Sequence, residues 1–416
     1  APACPARLVP VTNDPAVLLT PRGQDLLARL AVAAGDTATS PLALAEKLRR
    51  EYPADLVAAA MTQRDLRRAA EAKFSRAAEM LFTRAGLEQS SSETIAAYRA
   101  DRLKNAGRRV ADLCCGIGGD LIALAKASEV LAVDRDETHA RLARHNAAVY
   151  GRAQRVTAVV ADVRDIKLTG VDAVFIDPAR RSGPDTASAG TARRFRAGLS
   201  EPPLDWCVAL TSQVEAVCIK AAPGLPEELI PPGWEAEFIA EARDLKEAVL
   251  WSPSLTGASG PRRATVLAPF QDGAAPHSQT LVARPGDPVP LREPGEYLLD
   301  PNPAVTRAGL VEDLARDLGE DAAKIDPRIA FLTLDRDAQT PFARTLRVRY
   351  SAPWHEKSFA KRLRELEVGA VDIRRRGLAG DVDQIRRHLK LEGKNRATVV
   401  ITRVNDKPWG LICTAE

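Results

Sequence analysis

The chain reads as an α/β protein built on a parallel, doubly wound sheet, and three observations carry that reading. Four apolar runs, RVADL, EVLAVD, VTAVVAD and VDAVFID, each carry an aspartate at or beside their end: Asp112, Asp134, Asp162 and Asp177. The first run breaks into Cys114-Cys115-Gly116-Ile117-Gly118-Gly119, a tight turn, and then into a helical pattern at Leu121, Ile122, Leu124 and Ala125. The second is followed by a helical pattern through DETHARLARHNAAVYG. Apolar strands joined by helices form a sheet covered on both faces, whose ligands lie at the carboxyl ends of the strands.

In chain order, residues 14 to 104 carry apolar positions three and four apart in LLARLAVAA, ALAEKLRREY, DLVAAAMTQRDLRRAAEAKF and AAEMLFTRAGL, with breaks at Thr20-Pro21, Ser40-Pro41 and Tyr52-Pro53. About five helices are expected there. Their basic positions Arg64, Arg67, Arg68, Lys73 and Arg76 read as a solvated helix face. The stretch GLEQSSSETIAAYRADRL lacks apolar periodicity until Ile95, and Ser92-Glu93 marks a helix start. After Asp177-Pro178, a segment rich in Gly, Ser, Thr and Arg and poor in apolar residues reads as a loop over a ligand. LDWCVALTS is then a helix and VEAVCIKAAPG a fifth strand, while AEFIAEARDLKEAVLWSP and RRATVLAP supply two further strands, a hairpin.

Residues 271 to 303 are dense in proline and glycine and read as a connection with a strand or two. A helix from Val305 to Leu318 and a strand IAFLTL follow. The final stretch reads strand LRVRYSA, helix WHEKSFAKRLREL, strand VGAVDIRR, helix GDVDQIRRHLKL, and strands RATVVITRV and WGLICTA. That is a small α+β domain near the lower limit for an independent core. The expected domains are 1–107, helical; 108–270, the ligand-binding sheet; 271–342, a connection; and 343–416, the α+β domain.

The strand ends are chemically specific. Glycines at 116 and 118 let backbone approach a ligand where a Cβ would clash, and Asp134 is placed to accept two ribose hydroxyls. A dinucleotide fingerprint started at Gly116 would need glycine at position 121, which is Leu121. Four acids at strand ends around the turn instead favour a cationic ligand without a pyrophosphate. S-adenosylmethionine, with its sulfonium and α-ammonium, is such a ligand.

DLCCGIGGDLIALA, LAVDRDETHARLARHNAAVYG and VFIDPARRSGPD resemble the class I S-adenosylmethionine-dependent methyltransferases, with their Rossmann-like sheet, and within them the trimethylguanosine synthase group, which methylates the guanine exocyclic amine of RNA. The cysteine before the glycine turn and the helix end Asn146-Ala147-x-x-Tyr150-Gly151 are the more particular features. The resemblance implies that Asp112, Cys114, Gly116 and Gly118 line the methionine part of the cofactor, Asp134 the ribose, and Asp162 with Val163 the adenine, with Arg135 also among the cofactor-binding residues. It also implies that Gln89 and Ser91 belong to a segment closing over the cofactor, which Asp177 also touches. At the fourth strand the family has an acid, Asn or Ser, then Pro-Pro and an aromatic that stacks on the base, where this chain has Asp177-Pro178-Ala179-Arg180. Asp177 and Pro178 would orient the acceptor and the Arg180 guanidinium could stack on a base. The acceptor base therefore stays open. The layout of the last domain and RRRGLAGD resemble the THUMP-like domains appended to some bacterial methyltransferases; true THUMP domains deliver structured RNA to a catalytic partner.

The charge distribution points the same way. Residues 344 to 416 hold 17 Lys and Arg against 9 Asp and Glu, a net of +8, so with +4 overall the remainder of the chain carries −4. That asymmetry favours an anionic partner, with tRNA or rRNA as the expected one. Expected RNA contacts are Arg181, Arg193, Arg194 and Arg196 in the loop, Arg374, Arg375 and Arg376 at a strand end, and Arg386, Arg387 and Lys390 on one helix face. The reaction expected is methyl transfer to a base nitrogen; a small-molecule or protein methyltransferase and a non-catalytic, RNA-binding cofactor sensor are the alternatives. Six cysteines without C-x-x-C spacing and five histidines give no expectation of a metal site and read as cytoplasmic, reduced thiols. No run is long enough to span a membrane, and APACPARLVPV lacks a signal-peptide pattern.

Overall fold

The computed structural model describes residues 14–33, 40–180, 200–257, 260–269, 277–378, 380–389 and 391–414. The chain divides into two compact units. One comprises Ala1–Ala221, Trp251–Leu255 and Pro269–Pro276; the other comprises Ala222–Leu250, Thr256–Ala268 and His277–Glu416. No helix among the described residues is long and apolar enough to cross a membrane.

The first unit begins with helices α1 (Pro21–Ala33), α2 (Pro41–Leu48), α3 (Ala54–Ala70), α4 (Arg84–Gln89) and α5 (Glu93–Leu103). Prolines open α1 and α2, where the missing N–H costs nothing, and Ser40 and Thr83 cap α2 and α4 by accepting the N–H of Ala43 and Gly86. AAEML does not continue a helix: residues 75–79 form turns and 80–83 belong to no helix or strand. Side-chain hydrogen bonds hold this segment. Gln63 accepts the N–H of Phe82 and donates to its carbonyl, and Asn146 does the same for Leu81. Two of the supposed solvated basic residues also serve it. Arg67 donates to the carbonyls of Met80 and Glu79, and Lys73 donates to those of Leu87 and Ser90 at the end of α4.

The sheet of this unit runs β7-β4-β1-β2-β3, all parallel: β1 (Arg109–Leu113), β2 (Glu129–Asp134), β3 (Val156–Val160), β4 (Ala173–Ile176) and β7 (Ala216–Ala221). The order reverses at β1, which lies between β2 and β4. Helices α6 (Gly119–Leu124) and α7 (Glu137–Val149) follow β1 and β2, and Met80, Leu81 and Phe82 share a buried cluster with Ile117, Ile122 and Leu142. Between β4 and β7 lie the short strands β5 (Ala179–Arg180) and β6 (Ser200–Glu201) and the helix α8 (Leu204–Ala209).

In the second unit, β8 (Glu235–Glu241) and β9 (Asp244–Trp251) show that AEFIAEARDLKEAVLW is itself the hairpin, turning at Ala242 with φ +50°. β10 (Arg262–Leu267) pairs parallel to β8 and antiparallel to β11 (Ser278–Val282). The expected helix from Val305 is two, α9 (Pro303–Ala308) and α10 (Val311–Leu318), separated by Gly309 in the left-handed region. A second sheet has the order β13-β14-β12-β15-β18-β17-β16. Its strands are β12 (Tyr297–Pro301), β13 (Ala323–Lys324), β14 (Leu332–Leu334), β15 (Ala343–Pro353), β16 (Val368–Arg375), β17 (Asn395–Val404) and β18 (Lys407–Thr414), with α11 (Glu356–Glu365) and α12 (Val382–Leu389) between strands. The order of elements expected for 343–416 is the one found. The segment before it is not a mere connection: Leu298, Ile325, Ile329 and Phe331 share a buried cluster with Leu346, Val400 and Leu411. That second layer relieves the size limit on a domain of this length.

Candidate active site

Three strand ends and one turn build the site. β1 leaves the sheet at Leu113, and Cys114 (φ +62°), Gly116 (φ +52°) and Gly118 (φ +85°) wind the chain into α6 in the left-handed region. The two glycines do different work. A Cβ at Gly116 would meet nothing within 4 Å, so the space before this turn is open; one at Gly118 would lie 2.9 Å from Cα of Ala143. Gly118 is thus a packing position, admitting α7 against the turn. Likewise a Cβ at Gly86 would lie 2.4 Å from Cγ2 of Ile117, which seats α4 directly on the turn.

The carboxylates split by their partners. Asp112 is 1% exposed, and among the described residues neither oxygen has a hydrogen-bond partner. Burial first, then the nearby carboxylates of Asp120, Asp177 and Asp134, push its pKa well above the usual range, against a smaller opposing pull from Arg99. Asp134 is also buried, yet stays below the usual value: burial pushes it up, while His139 and the N–H groups of Asp136 and Gly116 outweigh that. Gly116 N–H donates to its Oδ2 at 2.8 Å and Asp136 N–H to its Oδ1 at 2.9 Å. His139, whose Nδ1 lies 3.8 Å from Asp134 Oδ1, titrates above its ordinary value chiefly because of that carboxylate.

Asp162 spends both oxygens locally, accepting from the guanidinium of Arg164 at 2.9 and 2.6 Å, which brings its pKa down to about 2. Arg164 reaches on to Glu201, 3.0 Å away. Val163 is buried beside it, and Arg135 is exposed after Asp134.

Asp177, just beyond β4, is joined by a residue the sequence reading passed over. Lys220, at the corresponding end of neighbouring β7 and 8% exposed, donates to Asp177 Oδ2 at 2.6 Å and lies 3.4 Å from the carbonyl of Gln89. Among the described residues Asp177 Oδ1 has no partner. A charged residue closing the apolar run AVCIK was the available signal. Arg99 is a second omission: 1% exposed on the buried stripe of α5 with Ile95 and Leu103, it pairs with Asp120, donates to Ser91 Oγ at 2.9 Å and lies over the ring of Phe175. Ser91 is therefore tied to Arg99, and Gln89 offers its backbone carbonyl to Lys220.

Cys115 is buried and Cys114 half-buried, and both thiols are pushed up, by burial foremost. Asn146 and Tyr150, the particular features of the second helix, are structural. Asn146 donates to the carbonyls of Leu81 and Ile117, and the Tyr150 hydroxyl donates to Glu93 at 3.0 Å and accepts the N–H of Arg76.

Pro178 follows Asp177, and Ala179–Arg180 pairs with Ser200–Glu201. Arg181, Arg193, Arg194, Arg196 and Lys390 lie outside the described residues, as does the side chain of Arg180. In the second unit Arg374 and Arg376 pair with the buried Asp300, Arg376 at 3.1 Å, so both are consumed within the fold. Arg375 is half-buried, while Arg386, 3.5 Å from Asp383, and Arg387 are exposed on α12. Among the described residues no group of three or more His, Cys, Asp or Glu is placed to hold a metal ion.

Residues 107–198 match the family model for RNA cap guanine-N2 methyltransferase, residues 343–415 a THUMP domain-like model, and residues 12–70 a domain of unknown function. The uncharacterized S-adenosylmethionine-dependent methyltransferase Rv3037c of Mycobacterium tuberculosis H37Rv is 34% identical over 330 residues, 78% of this chain and 85% of that protein. MT3122 of strain CDC 1551 matches to the same extent. A crystal structure from Porphyromonas gingivalis W83, described as a methyltransferase, shares the fold with a TM-score of 0.69 at 21% identity, covering 94% of this chain and 99% of that one. The cofactor these relatives name fits the site on its own terms: a buried carboxyl with both oxygens unbonded among the described residues, beside three further acids and before an open glycine turn, is completed by a cationic ligand.

Proposed function

Because the chain belongs to the S-adenosylmethionine-dependent methyltransferases, we propose that it methylates a nitrogen of a base in structured RNA, tRNA or rRNA. The cofactor supplies, when bound, an electrophilic methyl group on a thioether leaving group. Asp112 and Asp134 hold its charged and hydroxylated parts. The segment around Gln89 and Ser91 is held down by Lys220 and Arg99. What the protein adds is alignment, since displacement at the methyl needs the acceptor lone pair in line and near contact distance. Asp177 does this through Oδ1, which accepts an N–H of the acceptor and offsets the positive charge that grows on nitrogen. Lys220 fixes the carboxylate by occupying Oδ2. Pro178 restricts the backbone at the same corner.

The observation that carries the reading is the Asp177–Lys220 pair at the ends of β4 and β7, with one carboxylate oxygen left open. The RNA assignment rests on the family model over residues 107–198, the THUMP-like domain and its +8 charge. Incubating the protein with methyl-labelled cofactor and RNA from cells lacking it, then digesting to nucleosides, should give one labelled N-methyl base. Label confined to protein or small molecules would reject RNA as substrate; label on carbon or ribose would reject the role of Asp177.

A further inference from the structure

A side-chain bridge joins the two sides of the candidate active site. Arg164 donates to Asp162 from Nε and Nη2, at 2.9 and 2.6 Å, and its Nη1 lies 3.0 Å from Oε1 of Glu201. Different nitrogens serve the two acids, so one planar guanidinium holds both carboxylates at once. The acids stand on opposite sides of the strand ends. Asp162 follows β3 directly after Ala161, whose N–H still donates to the carbonyl of Asp134 at 3.0 Å. Glu201 belongs to β6 and pairs with Ala179 of β5, two residues beyond Asp177. In the sheet β1 and β2 lie between β3 and β4, so the ends of β3 and β4 are three strand spacings, about 14 Å, apart. The two strands between them carry the glycine turn and Asp134.

We propose that Arg164 is a positioning residue for methyl transfer: by tying Asp162 to Glu201 it fixes how far the Asp177 corner stands from the bound cofactor. The inference rests on the acceptor role of Asp177 proposed above. Lys220 holds the carboxylate of Asp177 directly, whereas Arg164 acts one step back, on the backbone that carries it. A displacement of Glu201 passes through its pairing with Ala179 to that corner. Alignment of the acceptor with the methyl group is what the protein contributes, and small displacements lose it. The bridge therefore bears on the rate of transfer and not on how tightly the cofactor binds.

The test compares the intact chain with E201Q, R164M, R164K and R164M/E201Q, using methyl-labelled S-adenosylmethionine and total RNA from cells lacking the protein. E201Q cuts the bridge but leaves Arg164 on Asp162, so its calorimetric affinity for S-adenosylmethionine should stay within about twofold of wild type. Its rate of methyl incorporation at saturating cofactor should fall about fivefold or more. R164K keeps the charge but not the forked geometry, and should recover part of the rate that R164M loses. R164M/E201Q should be no slower than the slower single variant, since the bridge is cut only once. Arg164 is exposed, so the melting temperature of R164M should match wild type. A wild-type rate in E201Q, losses that multiply in the double variant, or a rate loss in E201Q matched by an equal loss of cofactor affinity overturns the role of Arg164 and leaves the RNA reading standing. So does a loss of rate in R164M that tracks a lowered melting temperature. Wild-type protein that puts no label into RNA overturns both.

Discussion

Replacing Asp112 by asparagine tests the cofactor site at its most exposed assumption. Among the described residues this carboxyl has no hydrogen-bond partner, and its pKa lies well above the usual range, burial being the chief cause. Below that raised pKa it is neutral. A cationic ligand beside it favours the carboxylate, so binding must release up to about one proton, and affinity must rise with pH until the raised pKa is passed. Hydrogen bonds to charged groups contribute ~1.5–3 kcal/mol, so Asp112→Asn should weaken S-adenosylmethionine by about tenfold to a hundredfold. Calorimetric titration in phosphate and in Tris, whose ionisation enthalpies differ, reads the proton directly: the wild-type heats should diverge and those of the variant coincide. The same shift has an opposite sign for stability. A folded-state pKa above the unfolded one means that the folded protein binds more protons between the two values, so stability falls as pH rises through that window. Free Asp112→Asn should therefore lose less stability than wild type as pH rises above the ordinary carboxylate range. Buffer-independent wild-type heats, or undiminished binding by the variant, would refute the assignment of Asp112 to the cation.

Asp177→Asn should retain cofactor affinity and lose most turnover, while Lys220→Met, which also releases the carbonyl of Gln89, should at saturating cofactor lose turnover less completely, with Lys220→Arg recovering part; equal turnover in all three variants and wild type would remove the pair from the acceptor side. Gly118→Ala puts a side chain at φ +85° and 2.9 Å from Cα of Ala143, so it should destabilise the protein by about 2 kcal/mol or more, read as a lowered denaturant midpoint. Asp300→Ala leaves the guanidiniums of Arg243, Arg374 and Arg376 without their shared acid; since each is about a third exposed, roughly 2 kcal/mol is expected and not the 3–5 kcal/mol of a fully buried pair, and an unchanged melting temperature would contradict it.

What the sequence made legible and what it hid follow one physical division. Periodicity reports which side chains face a core, so the strands around the glycine turn and the order of elements from β15 to β18 could be read directly. It does not report who satisfies a polar group. The run Met80–Phe82 is apolar enough for a helix, and what holds it outside one is Gln63 and Asn146, remote in sequence. The turn at Ala242 contains neither glycine nor proline, so no local signal separates β8 from β9.

The same division governs the charged residues, and it decides which of them can act. Arg374 and Arg376 look like a phosphate-binding cluster when counted along the chain, but Asp300, far away in sequence, neutralises them; Asp162 is claimed by Arg164 two residues on. A charge is most available to a ligand where the fold leaves it without an opposite charge. By that criterion Asp112 and Asp177 Oδ1 are the groups to probe, whereas sequence position alone would add Arg374 and Arg376, which Asp300 holds. Lys220 is the instructive exception: it is paired, yet the pairing fixes the very oxygen that leaves its neighbour free, so its effect on turnover should be seen only through Asp177. The double variant Asp177→Asn/Lys220→Met should then turn over no more slowly than Asp177→Asn alone, and a multiplicative loss in single-turnover rates would mean that Lys220 meets the acceptor itself.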